Sequence, residues 1–229
     1  MSAEPPAGGR RLVLLRHGRT AYNHARRIQG QVDIPLDETG HKQAAAAAAF
    51  VAPHFAPGLL WCSDLSRARQ TASYVAQATG LTAVEDARLR EYHLGEREGM
   101  DAGEYAAAHP EEYARFKVGD FDVVPGGERA EQVAKRMCAA LDDLLAETPA
   151  GSTSVAVSHG AAIRVAAAAM VGLPTGSHHS LHGLDNCAWV VLEEGSTDPV
   201  LPRGLRLRAY NRTVSEAVAP VPVDAASGG

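Results

Sequence analysis

Three short, largely apolar runs limit what this 229-residue chain can fold into. They are RLVLL at residues 11–15, LLWC at 59–62 and TSVAV at 153–157. A strand that is apolar without alternation is buried on both faces, which occurs almost only in parallel sheets covered by helices. The runs therefore predict the central strands of a mostly parallel sheet.

Helical periodicity fills much of the chain between these runs. Apolar residues recur every three or four positions after Asp64 and over 128–147, and an alanine-rich stretch covers 40–52. Ser63 and Asp64 are suited to cap the helix that follows them, and Gly80 is suited to end it. The remaining predicted elements are a helix over 161–171 and strands over 186–192 and 205–210. Strands that alternate with helices predict an α/β fold of three layers, with a mostly parallel central sheet flanked by helices.

The composition is that of an ordinary globular protein. Hydrophobic residues make up 45% and charged residues 21%, with a net charge of −5, which disfavours a largely disordered chain. We expect a single domain over 10–215, with flexible tails at 1–9 and 216–229, because both ends are small, proline-rich and glycine-rich. The large excess of arginine over lysine is typical of a G+C-rich bacterial genome.

Several classes of partner and location are disfavoured. No stretch approaches the roughly 20 apolar residues needed to cross a bilayer, and residues 1–9 lack the basic and apolar regions of a signal peptide. A mildly acidic chain is not expected to bind nucleic acid. Cys62, Cys138 and Cys187 are widely spaced, which predicts neither a disulfide framework nor a zinc site. We therefore expect a cytoplasmic protein without membrane or nucleic-acid partners.

Polar residues at the strand ends indicate where a site would form. They are Arg16-His17-Gly18 after the first run, Ser63-Asp64 leading to Arg67 after the second, and Ser158-His159-Gly160 after the third. In open α/β sheets, ligands bind beyond the carboxyl ends of the strands. Free N–H groups at the following helix starts favour an anion there, and arginine can hold a phosphate with two parallel hydrogen bonds. The strand ends therefore predict one anion site built from residues distant in sequence.

Five motifs, in order, resemble those of the histidine phosphatase superfamily, which is also called phosphoglycerate mutase-like. They are LVLLRHGRTAYN at 12–23, SDLSRARQTA at 63–72, LREYHLGEREG at 89–99, PGGE at 125–128 and VSHG at 157–160. The resemblance covers essentially the whole part of the chain that we expect to be ordered. It implies the fold of that family and a phosphohistidine mechanism that needs neither a metal nor a cofactor.

The resemblance implies a role for each central residue. His17 would be the nucleophile, Arg16, Arg67 and a protonated His159 would surround the phosphoryl group, and Glu91 would be the general acid. These residue types suit the chemistry, because a neutral imidazole is a competent nucleophile near neutral pH. Phosphoryl transfer depends on stabilising charge on the equatorial oxygens, and an alkoxide leaves readily only when it receives a proton. Glu96 and Glu98 are the alternatives to Glu91.

Other motif positions are expected to support or modify the site. The supporting contacts to phosphate and substrate are expected from Asn23, Gln29, Gly30 and Gly160. Arg97 stands where the family commonly has tryptophan, and Arg129 where it has serine or threonine, so both are expected at the mouth of the substrate site. His178, His179 and His182 lack a carboxylate or cysteine partner and are expected to be exposed loop histidines rather than metal ligands.

These observations favour a metal-independent phosphomonoesterase, a histidine acid-type phosphatase, that acts on a small phosphorylated metabolite through a phosphohistidine on His17. A cofactor-dependent phosphoglycerate mutase is the main alternative. The mutases carry a longer, basic insertion, whereas residues 100–124 are short and contain only Arg115 and Lys117 as basic residues. A non-catalytic module that binds a phosphorylated ligand is a further alternative, although it would not require Glu91.

The substrate stays open at this point. The stretches QGQVD, LREYHLGEREG and LDNCAW resemble bacterial glucosyl-3-phosphoglycerate phosphatases and their relatives. Broad sugar-phosphate or phosphoglycerate phosphatases and α-ribazole-phosphate phosphatases are the alternatives. The expected partner is a small-molecule phosphate ester, and a homodimer is the candidate assembly.

Overall fold

A mixed sheet forms the centre of the computed structural model, which describes residues 8–174, 176–195 and 203–215. Its six strands within those ranges are β1 (Arg11–Arg16), β2 (Leu59–Cys62), β3 (Ala83–Glu85), β4 (Thr153–Ser158), β5 (Trp189–Glu194) and β6 (Leu205–Arg212). The order across the sheet is β3-β2-β4-β1-β5-β6. The pairs among β1 to β4 are parallel, whereas β5 runs antiparallel to β1 and β6 antiparallel to β5. The prediction of a mostly parallel central sheet is confirmed.

Helices cover both faces of this sheet. The α-helices of the described residues are α1 (Ala21–Ala25), α2 (Glu38–Phe55), α3 (Ser66–Thr79), α4 (Ala102–Ala108), α5 (Pro110–Lys117), α6 (Ala130–Glu147) and α7 (Gly160–Met170). Short 3₁₀ helices lie at Ala87–Leu89, Gly95–Arg97, Phe121–Val123 and Ser177–Ser180. Buried residues of α2 and α3 share one hydrophobic cluster with the sheet, and those of α6 and α7 share the other. The three-layer prediction is therefore confirmed.

The apolar run of β1 is divided between these two clusters. Leu12 and Leu14 belong to the cluster of α6 and α7, whereas Val13 and Leu15 belong to the cluster of α2 and α3. All four side chains are fully buried or nearly so. Because successive side chains of a strand point to opposite faces, only an uninterrupted apolar run can fill both cores at once.

The predicted N-cap of α3 is wrong, whereas Gly80 ends the helix as predicted. The helix begins after Leu65, which has no side chain able to cap it. Ser63 is instead engaged by His159, at 2.9 Å between Oγ and Nε2. Asp64 forms an ion pair with Arg90. The two polar residues that favour an N-cap in the sequence are thus held by residues from other parts of the chain.

Several elements differ from the sequence prediction or fall outside it. The strand predicted over 186–192 begins later, at β5, and the sequence patterns did not predict α1, β3, α4 or α5. The flexible tails remain predictions, because residues 1–7 and 216–229 lie outside the described residues, and the single domain over 10–215 likewise remains a prediction. No helix in the described ranges is both long enough and apolar enough to cross a membrane.

Strand pairing sets the predicted site residues side by side. Arg16 is the register partner of Ser158 at the end of the β1–β4 pair. The ladder continues one residue further, with the His17 amide donating to the Ser158 carbonyl at 3.0 Å. On the other side of β4, the Ser63 amide donates to the Val157 carbonyl at 2.9 Å. The carboxyl ends of three adjacent strands therefore meet at one edge.

A close contact between two glycines packs α2 against this edge. Gly18 follows His17, and a Cβ added at Gly18 would overlap the carbonyl of Gly40 in α2. A Cβ added at Gly40 would overlap the Arg19 carbonyl. Both obstructing groups are backbone, so neither can move aside as a flexible side chain would.

We expect Gly40→Ala to lower the free energy of unfolding by about 1–2 kcal/mol. Alanine in a helix ordinarily gains up to ~1 kcal/mol over glycine, but overpacking against fixed atoms costs typically ~1–3 kcal/mol. Urea unfolding measures the change. Gly58→Ala is the matched control, because nothing lies within 4 Å of the added Cβ. A stabilised Gly40→Ala variant would show that this contact is loose.

Candidate active site

A cleft of about 720 Å³ contains the predicted site residues. Those that line it are Arg16, His17, Asn23, Gln29, Gly30, Arg67, Glu91 and Gly160. His159 does not line the cleft but lies directly behind it, fully buried, with its ring centroid 5.1 Å from that of His17. The structure thus brings all nine residues together.

His17 is held as a neutral imidazole with one free nitrogen. Its Nδ1 atom lies 2.7 Å from the Gly18 carbonyl, an acceptor, so Nδ1 carries the proton and Nε2 keeps its lone pair. Burial and the neighbouring Arg67 and Arg16 guanidinium groups hold the pKa of His17 well below its usual range. A neutral ring with an unprotonated Nε2 is the form required of a nucleophile.

His159 is also neutral, which corrects the expectation of a protonated ring. Arg67 Nε donates to Nδ1 of His159 at 3.2 Å, so the proton of the ring is on Nε2, which donates to Ser63 Oγ at 2.9 Å. Burial and the charge of Arg67 hold the pKa of His159 well below its usual range. Ser63 therefore fixes the tautomer of this ring, a role that the sequence did not suggest.

Arg67 joins the strand ends to the loop before α2. Its Nη1 and Nη2 atoms donate to the carbonyls of Val32 and Gly30, each at 2.8 Å. Gly30 has a φ of +51°, and a Cβ there would overlap the Glu98 side chain. Burial lowers the pKa of Arg67 to about 10, which still leaves the guanidinium charged at neutral pH.

Arg16 lies against the first turn of α7. Its Nη1 atom donates to the Leu184 carbonyl. Its buried Nε has no hydrogen-bond partner within the described residues. A Cβ added at Gly160 would lie 3.1 Å from this Nε, so glycine there leaves room for the guanidinium. Burial lowers the pKa of Arg16, and the negative charge of Glu91 opposes that effect.

Glu91 is bound by the amino end of α7. Its carboxylate accepts from the amides of Ala162 at 2.8 Å and Ala161 at 3.1 Å, and from its neighbour Tyr92 at 3.0 Å. The partial positive charge of a helix N-terminus favours a carboxylate at this place. The Glu91 carbonyl accepts from Arg136 at 2.9 Å. Both ends of the residue are thus fixed.

The two alternative glutamates are not in a position to act. Glu96 is exposed and its carboxylate lies 3.5 Å from Arg97. Glu98 accepts from the amides of Gln31 at 2.8 Å and Leu94 at 2.9 Å, and so supports the loop around Gly30. Among the described residues, Glu91 is the only Asp or Glu that lines the cleft.

Asn23 and Gln29 present amide groups to the cleft. The Thr20 hydroxyl donates to Gln29 Oε1 at 2.9 Å, and the Thr20 amide donates to Asn23 Oδ1 at 3.2 Å. Asn186 also donates to Asn23 Oδ1, at 3.3 Å, and to the His17 carbonyl, at 3.1 Å. Because both amide oxygens accept from the protein, the amide N–H groups are left to donate to a ligand.

Sequence reasoning missed a support beneath Glu91. Arg136 of α6 donates to the carbonyls of Arg88 and Arg90, at 2.9 and 2.6 Å, and pairs with Glu128 at 2.8 Å. The PGGE motif marked Glu128, but nothing in the helical pattern around Arg136 distinguishes it from a solvated arginine. Only the folded chain shows that this arginine holds the segment that carries the candidate acid.

Two expectations about arginines at the mouth are wrong. Arg97 does not line the cleft; it is buried, forms an ion pair with Glu112 at 2.8 Å and lies 5.4 Å from the Tyr105 ring centroid. It therefore joins α4 to α5. Arg129 is exposed at the start of α6 and does not line the cleft either.

The prediction for the loop histidines holds in part. His179 and His182 are exposed, as expected, and both line the cleft. His178 is instead buried, and burial next to His179 lowers its pKa to about 4. In the described part of the chain, no group of three or more His, Cys, Asp or Glu side chains is arranged to hold a metal ion. Independence of metal remains a prediction.

Positive charge dominates the cleft. Its basic side chains are Arg16, Arg26, Arg27, Arg67, Lys117 and Arg164. Against them stands one carboxylate, that of Glu91. Buried cations without anions are costly, so the arrangement favours a ligand with negative charge. A neutral imidazole beside an anion-binding set of arginines and a carboxyl group can transfer a phosphoryl group.

Comparisons with known proteins identify the family of the chain. A family model of the histidine phosphatase superfamily (branch 1) matches residues 12–203. Glucosyl-3-phosphoglycerate phosphatase of Mycolicibacterium vanbaalenii is 39% identical over 189 residues, which cover 80% of this chain and 84% of that protein. "Probable phosphoglycerate mutase GpmB" of Yersinia pestis is 40% identical over 179 residues, which cover 77% of this chain and 81% of that protein.

A solved structure is also similar over most of the chain. Mycobacterial glucosyl-3-phosphoglycerate phosphatase in complex with VO3 superposes with a TM-score of 0.81 at 36% identity. The match covers 89% of this chain and 100% of that chain. The similarity in structure thus extends beyond the sheet to the helices around the cleft.

The buried neutral histidines predict a pH-dependent loss of stability. An unfolded histidine binds a proton below pH ~6.5, whereas the folded form does not until its lowered pKa is reached. Stability is therefore present above pH ~6.5 and falls as the pH drops below it, by up to ~1.4 kcal/mol per pH unit for each such ring. We expect His159→Gln to reduce the loss of unfolding free energy between pH 7.5 and 5.5 by about 1.4 kcal/mol.

The control is His24→Gln, because the His24 side chain is exposed. Urea unfolding at the two pH values should give this variant the same pH-dependent loss as the wild type. If His159→Gln and His24→Gln show equal losses, His159 is not buried in its neutral form.

Proposed function

The chain belongs to the histidine phosphatase superfamily, and from that membership we propose how its cleft works on a phosphate monoester of a small sugar or glycerate. The observation that carries the proposal is the state of His17, a buried neutral ring with a free Nε2 that lines a strongly cationic cleft. The chain is a phosphoric monoester hydrolase, as its family and its relatives indicate.

In the first step, His17 takes the phosphoryl group. Its Nε2 lone pair forms the N–P bond while the ester P–O bond breaks. The leaving oxygen takes a proton from Glu91, which enters this step in its acid form because the negatively charged phosphoryl group beside it disfavours the carboxylate. An alcohol departs and Glu91 becomes a carboxylate. An alkoxide without that proton would be a poor leaving group, which is why an acid beside the reacting phosphorus is required.

In the second step, water regenerates the enzyme. The Glu91 carboxylate accepts a proton from the attacking water, the new O–P bond forms and the N–P bond to His17 breaks. Inorganic phosphate leaves, His17 returns to the neutral ring and Glu91 is again an acid. Over the two steps, one water and one ester give one alcohol and one phosphate.

Arg16 and Arg67 stabilise the charge that shifts during both steps. The charge of the transferring group is spread over its equatorial oxygens, and fixed cations in a low-dielectric site interact with it strongly. Asn23 and Gln29 donate their amide N–H groups to the same oxygens or to the substrate. His159 keeps Arg67 in place through the bond to its Nε.

Hydrolysis is favoured over mutase activity by the short segment over residues 100–124. Of its two basic residues, Lys117 lines the cleft but Arg115 is paired with Asp120 at 2.6 Å. A mutase must retain a second phosphate while the first is transferred, and this segment contributes only one exposed lysine to that task. A pure binding module is disfavoured because it has no use for the fixed carboxylate of Glu91.

The similarity to glucosyl-3-phosphoglycerate phosphatases supports a sugar or glycerate phosphate as the substrate. The expected partner is therefore a small-molecule phosphate ester. A cytoplasmic location, a homodimer and the absence of nucleic-acid and membrane partners stay part of the proposal.

Covalent labelling tests the role of His17. Enzyme mixed with ³²P-labelled substrate in EDTA and quenched in denaturant should carry acid-labile phosphate. His17→Ala should lose both the label and turnover, whereas His24→Ala should keep both, since His24 is exposed and does not line the cleft. Appreciable turnover by His17→Ala would exclude the mechanism, and a requirement for added Mg²⁺ or Zn²⁺ would exclude metal independence.

The dependence on the leaving group tests Glu91. General acid catalysis is typically worth ~10²–10⁴-fold, so Glu91→Gln should slow turnover of sugar phosphates by about that factor. p-Nitrophenyl phosphate should be affected much less, because p-nitrophenolate leaves without a proton. Glu96→Gln is the control and should change neither rate. Equal losses of Glu91→Gln on both substrates would assign Glu91 to positioning instead.

A further inference from the structure

The buried arginines of the described chain fall into two groups. Arg11 and Arg97 form ion pairs with Glu193 and Glu112, at 2.9 and 2.8 Å. Arg67 and Arg164 have no carboxylate partner among the described residues, and both line the cleft. Arg67 belongs to the phosphate site, so Arg164 is the buried cation in the cleft that the proposed chemistry leaves unused.

Arg164 lacks a partner for part of its guanidinium. Its Nη2 atom donates to the Gly119 carbonyl at 3.0 Å, but its Nε has no hydrogen-bond partner within the described residues. The side chain is only 8% exposed. A guanidinium buried to this extent is costly unless an anion compensates its charge. The cleft that Arg164 lines has space for an anion beside it.

The position of this guanidinium is fixed by its surroundings. A Cβ added at Gly119 would overlap the guanidinium of Arg164, and Gly119 has a φ of +87°, which favours glycine. Arg164 sits four residues after Gly160 in α7, so the two positions share one helix face, about 6 Å apart along the axis. Since Gly160 lies against Arg16, Arg164 is one helical turn from the phosphate-binding arginine.

We propose that Arg164 binds a carboxylate of the substrate, and that it selects phosphate esters that carry a carboxylate near the phosphate over neutral polyol or sugar phosphates. One guanidinium matches the single charge of a carboxylate and can donate two parallel hydrogen bonds to it. The short spacing along α7 suits a phosphate and a carboxylate joined by a few carbon atoms. The proposal rests on the proposed function, whose reaction it leaves unchanged.

Two substrates of the same carbon skeleton test the selection. 3-Phosphoglycerate and glycerol 3-phosphate differ in that a carboxylate in the first is a hydroxymethyl group in the second. We expect the wild type to have a kcat/KM at least ~10-fold higher on 3-phosphoglycerate. Arg164→Met should lower kcat/KM on 3-phosphoglycerate by about 10²–10³-fold, mainly through KM, and on glycerol 3-phosphate by less than about 3-fold.

Two further variants separate binding from structure. Arg164→Lys keeps the charge but loses the planar fork, so it should retain part of the preference for 3-phosphoglycerate. Arg27→Met removes an exposed arginine of the same cleft and should leave the ratio of the two kcat/KM values within about 3-fold of the wild type, because solvent screens that charge. Thermal unfolding of each variant reports whether it folds.

Turnover of p-nitrophenyl phosphate separates this proposal from the proposed function. If the wild type does not hydrolyse p-nitrophenyl phosphate, the proposed phosphatase function is contradicted independently of the role of Arg164. The carboxylate site is excluded if the wild type hydrolyses p-nitrophenyl phosphate but does not prefer 3-phosphoglycerate to glycerol 3-phosphate. It is also excluded if Arg164→Met lowers kcat/KM on these two substrates by the same factor. If Arg164→Met does not fold, Arg164→Lys decides the outcome. The proposal stands only if this variant lowers kcat/KM on 3-phosphoglycerate more than on glycerol 3-phosphate.

Discussion

The parallel ladder between β1 and β4 is the interaction on which the cleft depends. Its last hydrogen bond, from the His17 amide to the Ser158 carbonyl, sets the two histidine-bearing strand ends side by side. A shift of one residue in this register would turn every side chain of β1 to the other face. The fully buried run that fills both cores prevents such a shift, so the packing of the sheet and the geometry of the reacting groups are one constraint.

Burial then determines the electrostatics of the cleft. Removing Arg16, Arg67 and His17 from water weakens the proton affinity of the imidazole, which keeps it neutral and nucleophilic. The same low dielectric strengthens the attraction between the two guanidinium groups and a phosphoryl oxygen. A site with this much buried positive charge is costly without an anion, so a bound phosphate ester would compensate that charge.

The sequence allowed the positions of site residues to be predicted where those residues follow an apolar strand closely in the chain. His17, Arg67 and His159 follow apolar strands, and parallel strands bring such ends together, so their proximity could be predicted. Arg136 and Arg97 could not be placed, because each interacts with residues of other elements that no spacing relates to it. Arg97 lies within a recognisable motif, but the direction of its side chain is set by Glu112 of α5, a helix that the sequence did not indicate.

Helix α7 connects the separate functions of the cleft. The amides of Ala161 and Ala162 hold the Glu91 carboxylate, Gly160 makes room for Arg16, and Arg164 follows one turn later. Because a helix is rigid at this length, the distances from the acid to the phosphate and from the phosphate to the second cation are fixed together. Under the proposed roles of Glu91, Arg164 and His17, changes in the loop after α5 would alter access to Arg164 without moving Glu91, and substrate choice would change while the reaction at His17 is preserved.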